Sequence, residues 1–238
     1  MHESVSEEWV PVNPGRDWVL RTRGTGGRRW LRGSYRNAAA DGFGDAFVDE
    51  PPREFRARHG DYYALQQGRQ PDPGHGWPVR WQVPTPDFLA ALRRDPDLLL
   101  QRLRADSPSH PVPRPRRLPR YPVYNGAWKY ALDALRCALV PADVRAALYR
   151  ALQLLPDVRV VDTATNLDGA AAIALVLEVS PVRHELLVDP GNGRYLGARE
   201  TVRAWNPDFR VRPGTIIRDT AVRTTVVDDI DAAPPPRL

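Results

Sequence analysis

The residues of this chain whose types could do chemistry are five histidines, one cysteine, a few serines and two groups of aspartates. None has the spacing that chemistry needs. His2, His59, His75, His110 and His184 are scattered, with no H-E-x-x-H and no His/Cys pairing for zinc. No G-x-S-x-G elbow is present, and Ser107 and Ser109 lie beside His110 in a proline-rich stretch that gives a triad no rigid support. Asp41 and Asp45, and Asp228, Asp229 and Asp231, lack the loop spacing of a calcium site and read as solvated acids. Gly24-Thr25-Gly26-Gly27 lacks the spacing of a dinucleotide-binding loop and no helix pattern follows it, so it reads as a hairpin turn. Cys137 sits inside a helical pattern and reads as a small buried hydrophobe. The expectation is therefore no catalytic residue, no metal ligand and no cofactor.

What remains is aromatic. Trp9, Trp18 and Trp30 each fall near the middle of a strand pattern, where an indole packs well on a pleated surface. They read first as a core or cross-strand cluster. If they face inward together, they are the candidate walls of a ligand site.

The elements that would position them come in two sets. Residues 5–35 read as a first β-meander, with strands around 5–12, 17–21 and 28–33 separated by Asn13-Pro14-Gly15 and the glycine stretch. Residues 36–84 read as an irregular region. Thr85-Pro86-Asp87 and Asp95-Pro96-Asp97 each offer a cap, a proline at the first helical position and an acid in the first turn. They open a helical insertion, 85–155, which a proline and arginine linker interrupts at 107–122. Its last two helices are Gly126–Leu139, with Trp128, Leu132 and Leu135 on one face, and Pro141–Leu155, with Val144, Leu148 and Leu152. A second meander, 157–228, has strands at 157–164, 170–179, 185–188, 195–204 and 215–227, with Asp189-Pro190-Gly191-Asn192-Gly193 as its tightest turn. Residues 229–238 read as a frayed tail.

The 238 residues, 42% hydrophobic and 26% charged, suit an ordinary globular protein, read here as a single domain. The net charge of +5 invites a nucleic-acid partner. Against it, Lys129 is the only lysine among 34 basic residues, a GC-rich coding bias, and the arginines are interleaved with acids along the chain. The single cysteine forbids an intramolecular disulfide, and no signal peptide or membrane-spanning segment is written into the chain.

The order of elements resembles the lipoprotein-carrier-like fold of the periplasmic carrier LolA and the sigma-factor regulator RseB. More narrowly, the chain resembles an actinobacterial family of membrane-anchored extracytoplasmic proteins encoded beside extracytoplasmic-function sigma factors. Glu8-Trp9-Val10-Pro11, Arg16-Asp17-Trp18-Val19, the helix phrase from Pro141 to Leu152 and the turn phrase from Asp189 to Gly197 carry the likeness. The resemblance implies an α+β fold: a curved antiparallel half-barrel sheet with a helical insertion packed on one face. It implies a non-enzymatic sensor or binding module for a lipid or hydrophobic ligand, or a regulatory domain acting on an anti-sigma factor or another envelope protein. Family members carry an N-terminal cytoplasmic segment, a transmembrane helix and further strands. None precedes Met1, so the reading is an extracytoplasmic domain that has lost its anchor, or else a cytoplasmic paralogue.

Overall fold

A computed structural model describes residues 2–13, 16–28, 51–58, 60, 62, 65, 81–82, 84–107, 126–205 and 211–230. The chain forms two compact units: Met1–Trp77 together with Thr224–Leu238, and Pro78–Arg223. The class is α+β, and among the described residues the strands are divided between two antiparallel sheets of three and five strands, neither closed into a barrel.

In the first unit, β1 (His2–Trp9), β2 (Asp17–Arg28) and β3 (Arg53–Arg58) pair in the order β1-β2-β3. Two expectations are corrected here. The glycine stretch is not a turn but the continuation of β2, with Gly24 opposite Ser4. The ladder shifts register between His2 and Ser4, and Gly26 takes φ +76°, a left-handed conformation that lets the strand bulge instead of reversing. Thr25 holds the bulge by donating from its hydroxyl to the Glu3 carboxylate at 2.6 Å. The third strand comes from Arg53–Arg58, within the stretch read as irregular, because Phe55 and Ala57 alternate with charged neighbours. Arg28 ends β2, and residues 29–33 lie outside the described residues.

The second unit opens with helices whose starts follow from local chemistry. The Thr85 hydroxyl accepts from the Phe88 N–H at 3.3 Å ahead of α1 (Pro86–Ala91), and the Asp95 carboxylate accepts from the Leu98 N–H at 2.9 Å ahead of α2 (Pro96–Asp106). α3 (Gly126–Leu135) stops four residues earlier than its periodicity suggests, so Cys137 lies just past it, still buried. α4 (Ala142–Gln153) uses Pro141 as its N-cap, with no side-chain capping bond. Leu99, Leu103, Leu148 and Leu152 are fully buried where α2 meets α3 and α4, each burial stabilising the unit by about 1.5–3 kcal/mol. Trp81 adds a polar tie: its indole N–H donates to Asp106 at 2.8 Å, while its ring meets Phe88 edge-on and stacks on Tyr130.

The sheet of this unit is a meander in sequence order: β4 (Val158–Thr165), β5 (Ala171–Val179), β6 (Val182–Val188), β7 (Tyr195–Val202) and β8 (Ile216–Asp219). β6 begins three residues earlier than expected, since the hairpin turn is only Ser180-Pro181. β8 is shorter than the expected 215–227, although Thr220 and Val222 still donate backbone bonds to Ala198 and Leu196. The sheet is curved. The tip of the β4–β5 hairpin bends over one face, where Asn166 Nδ2 donates to Leu196 O at 3.3 Å and Arg199 Nη2 to Thr165 O at 3.2 Å. Beneath it lies a small core of Ala172, Ala174, Val176 and Leu187. α4 contacts β4. Its Arg145 and Tyr149 side chains both donate to Gly193 O at 3.1 Å, tying the helix to the β6–β7 turn.

Candidate functional site

The three tryptophans separate. Trp9 lies opposite Val19 in the β1–β2 ladder, and Trp18 is the residue just before Val19 in β2, so the two indoles project from opposite faces of the sheet. Trp30 lies outside the described residues. Trp18 is only 3% exposed and belongs to the core, on the face shared with Leu20, Phe55 and Ala57. Gly60, at φ +76°, seats against it: a Cβ there would come within 2.6 Å of the ring. Trp9 and Trp18 therefore do not line a common wall.

On the Trp18 face, Glu8 stands close to Gly60 and Tyr62. Although the residue as a whole is exposed, burial of its carboxyl raises the pKa above the usual 4.5, opposed by a hydrogen bond from Tyr62. A carboxyl whose folded pKa is raised favours folding when protonated, and that contribution is lost as pH rises through the folded value. The contribution of Glu8 to the stability of this unit should therefore decline from about pH 4.5 towards neutrality. Thermal melts of Glu8→Gln at pH 4 and pH 7 should show that decline flattened. An unchanged slope would mean that Glu8 is not its source.

On the other face, Trp9 meets charge. The Arg21 guanidinium lies 5.0 Å from the Trp9 ring centroid, and its Nε donates to Glu54 Oε2 at 2.6 Å. Glu54 also takes Arg56 at 2.8 Å, and the two arginines hold its carboxyl below the usual carboxylate range. Arg21 is thus pinned by a cation–π contact and an ion pair at once. Beside it, Glu7, Arg21, Arg23 and Glu54, together with Thr22, Pro52 and Arg53, the first and last of which the register sets on the Trp18 face, line a shallow cleft of about 230 Å³. Three arginines against two glutamates give it a positive balance. Such a cleft can hold an anionic or hydrogen-bonding group against a rigid cation.

The second unit gathers titratable groups by register. His184, Glu200 and Arg218 form one cross-strand row over β6, β7 and β8. His184 Nδ1 stands 3.8 Å from Glu200 Oε1, beyond hydrogen-bond distance, and Arg218 Nη1 stands 3.6 Å from the same oxygen. On the opposite face, Arg159 bridges to Glu178 at 3.0 Å, Arg183 to Glu185 at 2.6 Å and Arg199 to Asp219 at 2.9 Å. The first and third pairs join neighbouring strands, and the second joins alternate residues of β6. Burial raises the hydroxyl pKa of Tyr149 and of Tyr195, with Arg145 opposing at the first and Arg136 at the second. Among the described residues no group of three or more His, Cys, Asp or Glu could hold a metal ion, and no helix is long and apolar enough to cross a membrane.

No family model, curated protein or solved structure matches the chain. The reading of the site therefore rests on its own geometry. The sequence showed β3 only through the alternation in Arg53-Glu54-Phe55-Arg56-Ala57-Arg58, which puts Phe55 and Ala57 with Arg53 on one side and Glu54 with Arg56 and Arg58 on the other. The juxtaposition of Trp9, Arg21 and Glu54 left no trace, because it depends on strand register.

Proposed function

We propose that the chain is a non-enzymatic binding module that docks an acidic protein segment on the Trp9 face of its three-stranded sheet. The observation that carries this is Arg21, fixed between the Trp9 ring and the Glu54 carboxylate at the wall of a small arginine-lined cleft. A preorganised guanidinium loses little freedom when it takes a carboxylate, and flanking arginines raise the encounter rate. A lipid or hydrophobic ligand finds less support. That reading needed tryptophans on a shared wall, and Trp18 is core while Trp9 is bound up with charge. A role in sigma-factor regulation, through an anti-sigma factor or another envelope protein, is compatible with such docking and rests on the resemblance alone.

The test is calorimetric titration of the full chain with an acidic peptide of alternating Glu and Val, a Lys/Val counterpart, and phosphatidylglycerol vesicles. The acidic peptide should bind, more weakly as salt rises. Arg23→Glu with Arg53→Glu should weaken it by roughly tenfold. No binding of the acidic peptide by folded protein, or binding of vesicles alone, overturns the proposal.

A further inference from the structure

We propose that Asn192 is a spontaneous deamidation site that Asp189 holds latent, and that its conversion to isoaspartate releases α4 from the β6–β7 turn. The site lies in the second unit and owes nothing to the binding reading. Asparagine followed by glycine is the pairing most open to this reaction, because glycine has no side chain to shield its own nitrogen or restrict the backbone. Asn192 is exposed, so water is at hand, and Gly193 follows it at φ +67°. The Gly193 nitrogen attacks the carboxamide carbon of Asn192. A bond forms between that nitrogen and Cγ, and the bond from Cγ to Nδ2 breaks. The proton lost by the Gly193 nitrogen leaves with Nδ2 as ammonia. Water then hydrolyses the cyclic imide. Opening at Cγ gives aspartate, and opening at the main-chain carbonyl gives isoaspartate, whose backbone runs through the side chain. Nothing is oxidised or reduced.

The folded turn restrains both partners of the first step. Asn192 Nδ2, the leaving group, donates to Asp189 Oδ2 at 2.9 Å, and Asn192 Oδ1 accepts from the Arg194 N–H at 2.9 Å. Held at both ends, the carboxamide cannot swing over its own peptide bond. The Gly193 N–H donates to Asp189 O at 2.9 Å, so the nucleophile is engaged as well. Asp189 Oδ1 in turn accepts from the N–H groups of Gly191 at 2.7 Å and Asn192 at 3.3 Å. Hydrogen bonds to a carboxylate are among the stronger ones, which makes Asp189 the latch. The consequence reaches the helix through Gly193 O, which accepts from Arg145 Nε and the Tyr149 hydroxyl, both at 3.1 Å. Isoaspartate adds a carbon to the main chain directly before Gly193 and moves that carbonyl away from two donors fixed on α4. Leu148 and Leu152 stay buried, so the helix loosens at the turn and does not unfold.

The test ages the full chain in mildly alkaline buffer beside a synthetic peptide of residues 187–196. Peptide mapping with isoaspartate detection follows the reaction at position 192. The folded chain should react roughly tenfold more slowly than the peptide, or slower still. Asp189→Ala should close most of that gap. Asp189→Asn keeps an acceptor for the turn amides but loses the one that takes Asn192 Nδ2. It should react several-fold faster than wild type, and it carries the test if the alanine variant fails to fold. Amide hydrogen exchange in α4 and across the β6–β7 turn should be roughly tenfold faster in aged than in fresh Asp189→Asn protein. Asn192→Gln, aged in the same way, should show no such change. Equal rates in folded chain and peptide, or Asp189→Asn reacting no faster than wild type, overturn the latch. Isoaspartate at 192 with exchange in α4 unchanged overturns the release.

Discussion

Gly197→Ala should lower the stability of the second unit by about 3 kcal/mol, a drop of very roughly 6–12 °C in melting temperature. Two effects coincide there. Gly197 has φ +141°, a backbone conformation that a side chain disfavours, and a Cβ would run into the Thr220 carbonyl and then the Ala221 backbone. The obstacle is main chain, so it cannot rotate away. Thr220 is itself held in place, its N–H donating to Ala198 O and its hydroxyl accepting from the Ala198 N–H, both at 2.9 Å. Either β8 lifts from β7, losing those bonds, or β7 distorts at the bulge beside Leu187 and Val188. Gly169→Ala is the control. Gly169 also has positive φ, at +83°, but open space around its Cβ position, so it should cost only about 1 kcal/mol. Equal losses in the two variants, measured by thermal unfolding, would mean that the approach of Thr220 is not what decides.

What the sequence made legible is what depends on a few neighbouring residues. Thr85 and Asp95 announce their helices because a cap, a following proline and a first-turn acid all act within one turn. The Asp189–Gly193 turn was readable for the same reason: Asp189 Oδ1 accepts from the Gly191 N–H at 2.7 Å, and Gly193 supplies the positive φ. The mixed α+β class and the antiparallel meander also follow the sequence reading. Where partners are distant, reading failed for a physical reason. Glycines mark turns and bulges alike, and only the presence of β1 alongside decides that Gly26 bulges within a strand. β3 was hidden because half its residues are arginine, so its alternation has just Phe55 and Ala57 to show. The tryptophans were grouped because each sat in a strand. The register then fixed Trp9 and Trp18 on opposite faces, a one-residue matter that sequence spacing does not carry.

Asn166 is the second position where a single side chain carries several elements. It was readable only as the first residue of a turn, yet it is 5% exposed and makes three bonds. Its Oδ1 accepts from the N–H groups of Asp168 at 3.1 Å and Ala170 at 2.9 Å, closing the β4–β5 turn. Its Nδ2 donates across the sheet to Leu196 O. The first two bonds are local and the third holds the curvature, because it pulls the hairpin tip over the Ala172, Ala174, Val176 and Leu187 core. Asn166→Ala leaves two donors and one acceptor short of partners in a partly buried place, for an expected loss of about 3 kcal/mol. Asn166→Asp keeps the acceptor for the turn and removes only the donor to Leu196, so it should cost less, about 1–2 kcal/mol. The two variants should also differ in kind. With Asp the turn amides of residues 168–170 should stay protected from hydrogen exchange while protection at β7 falls, and with Ala both should go. Loss of turn protection in the Asp variant would show that the cross-sheet bond, rather than the turn itself, is what keeps the hairpin in place.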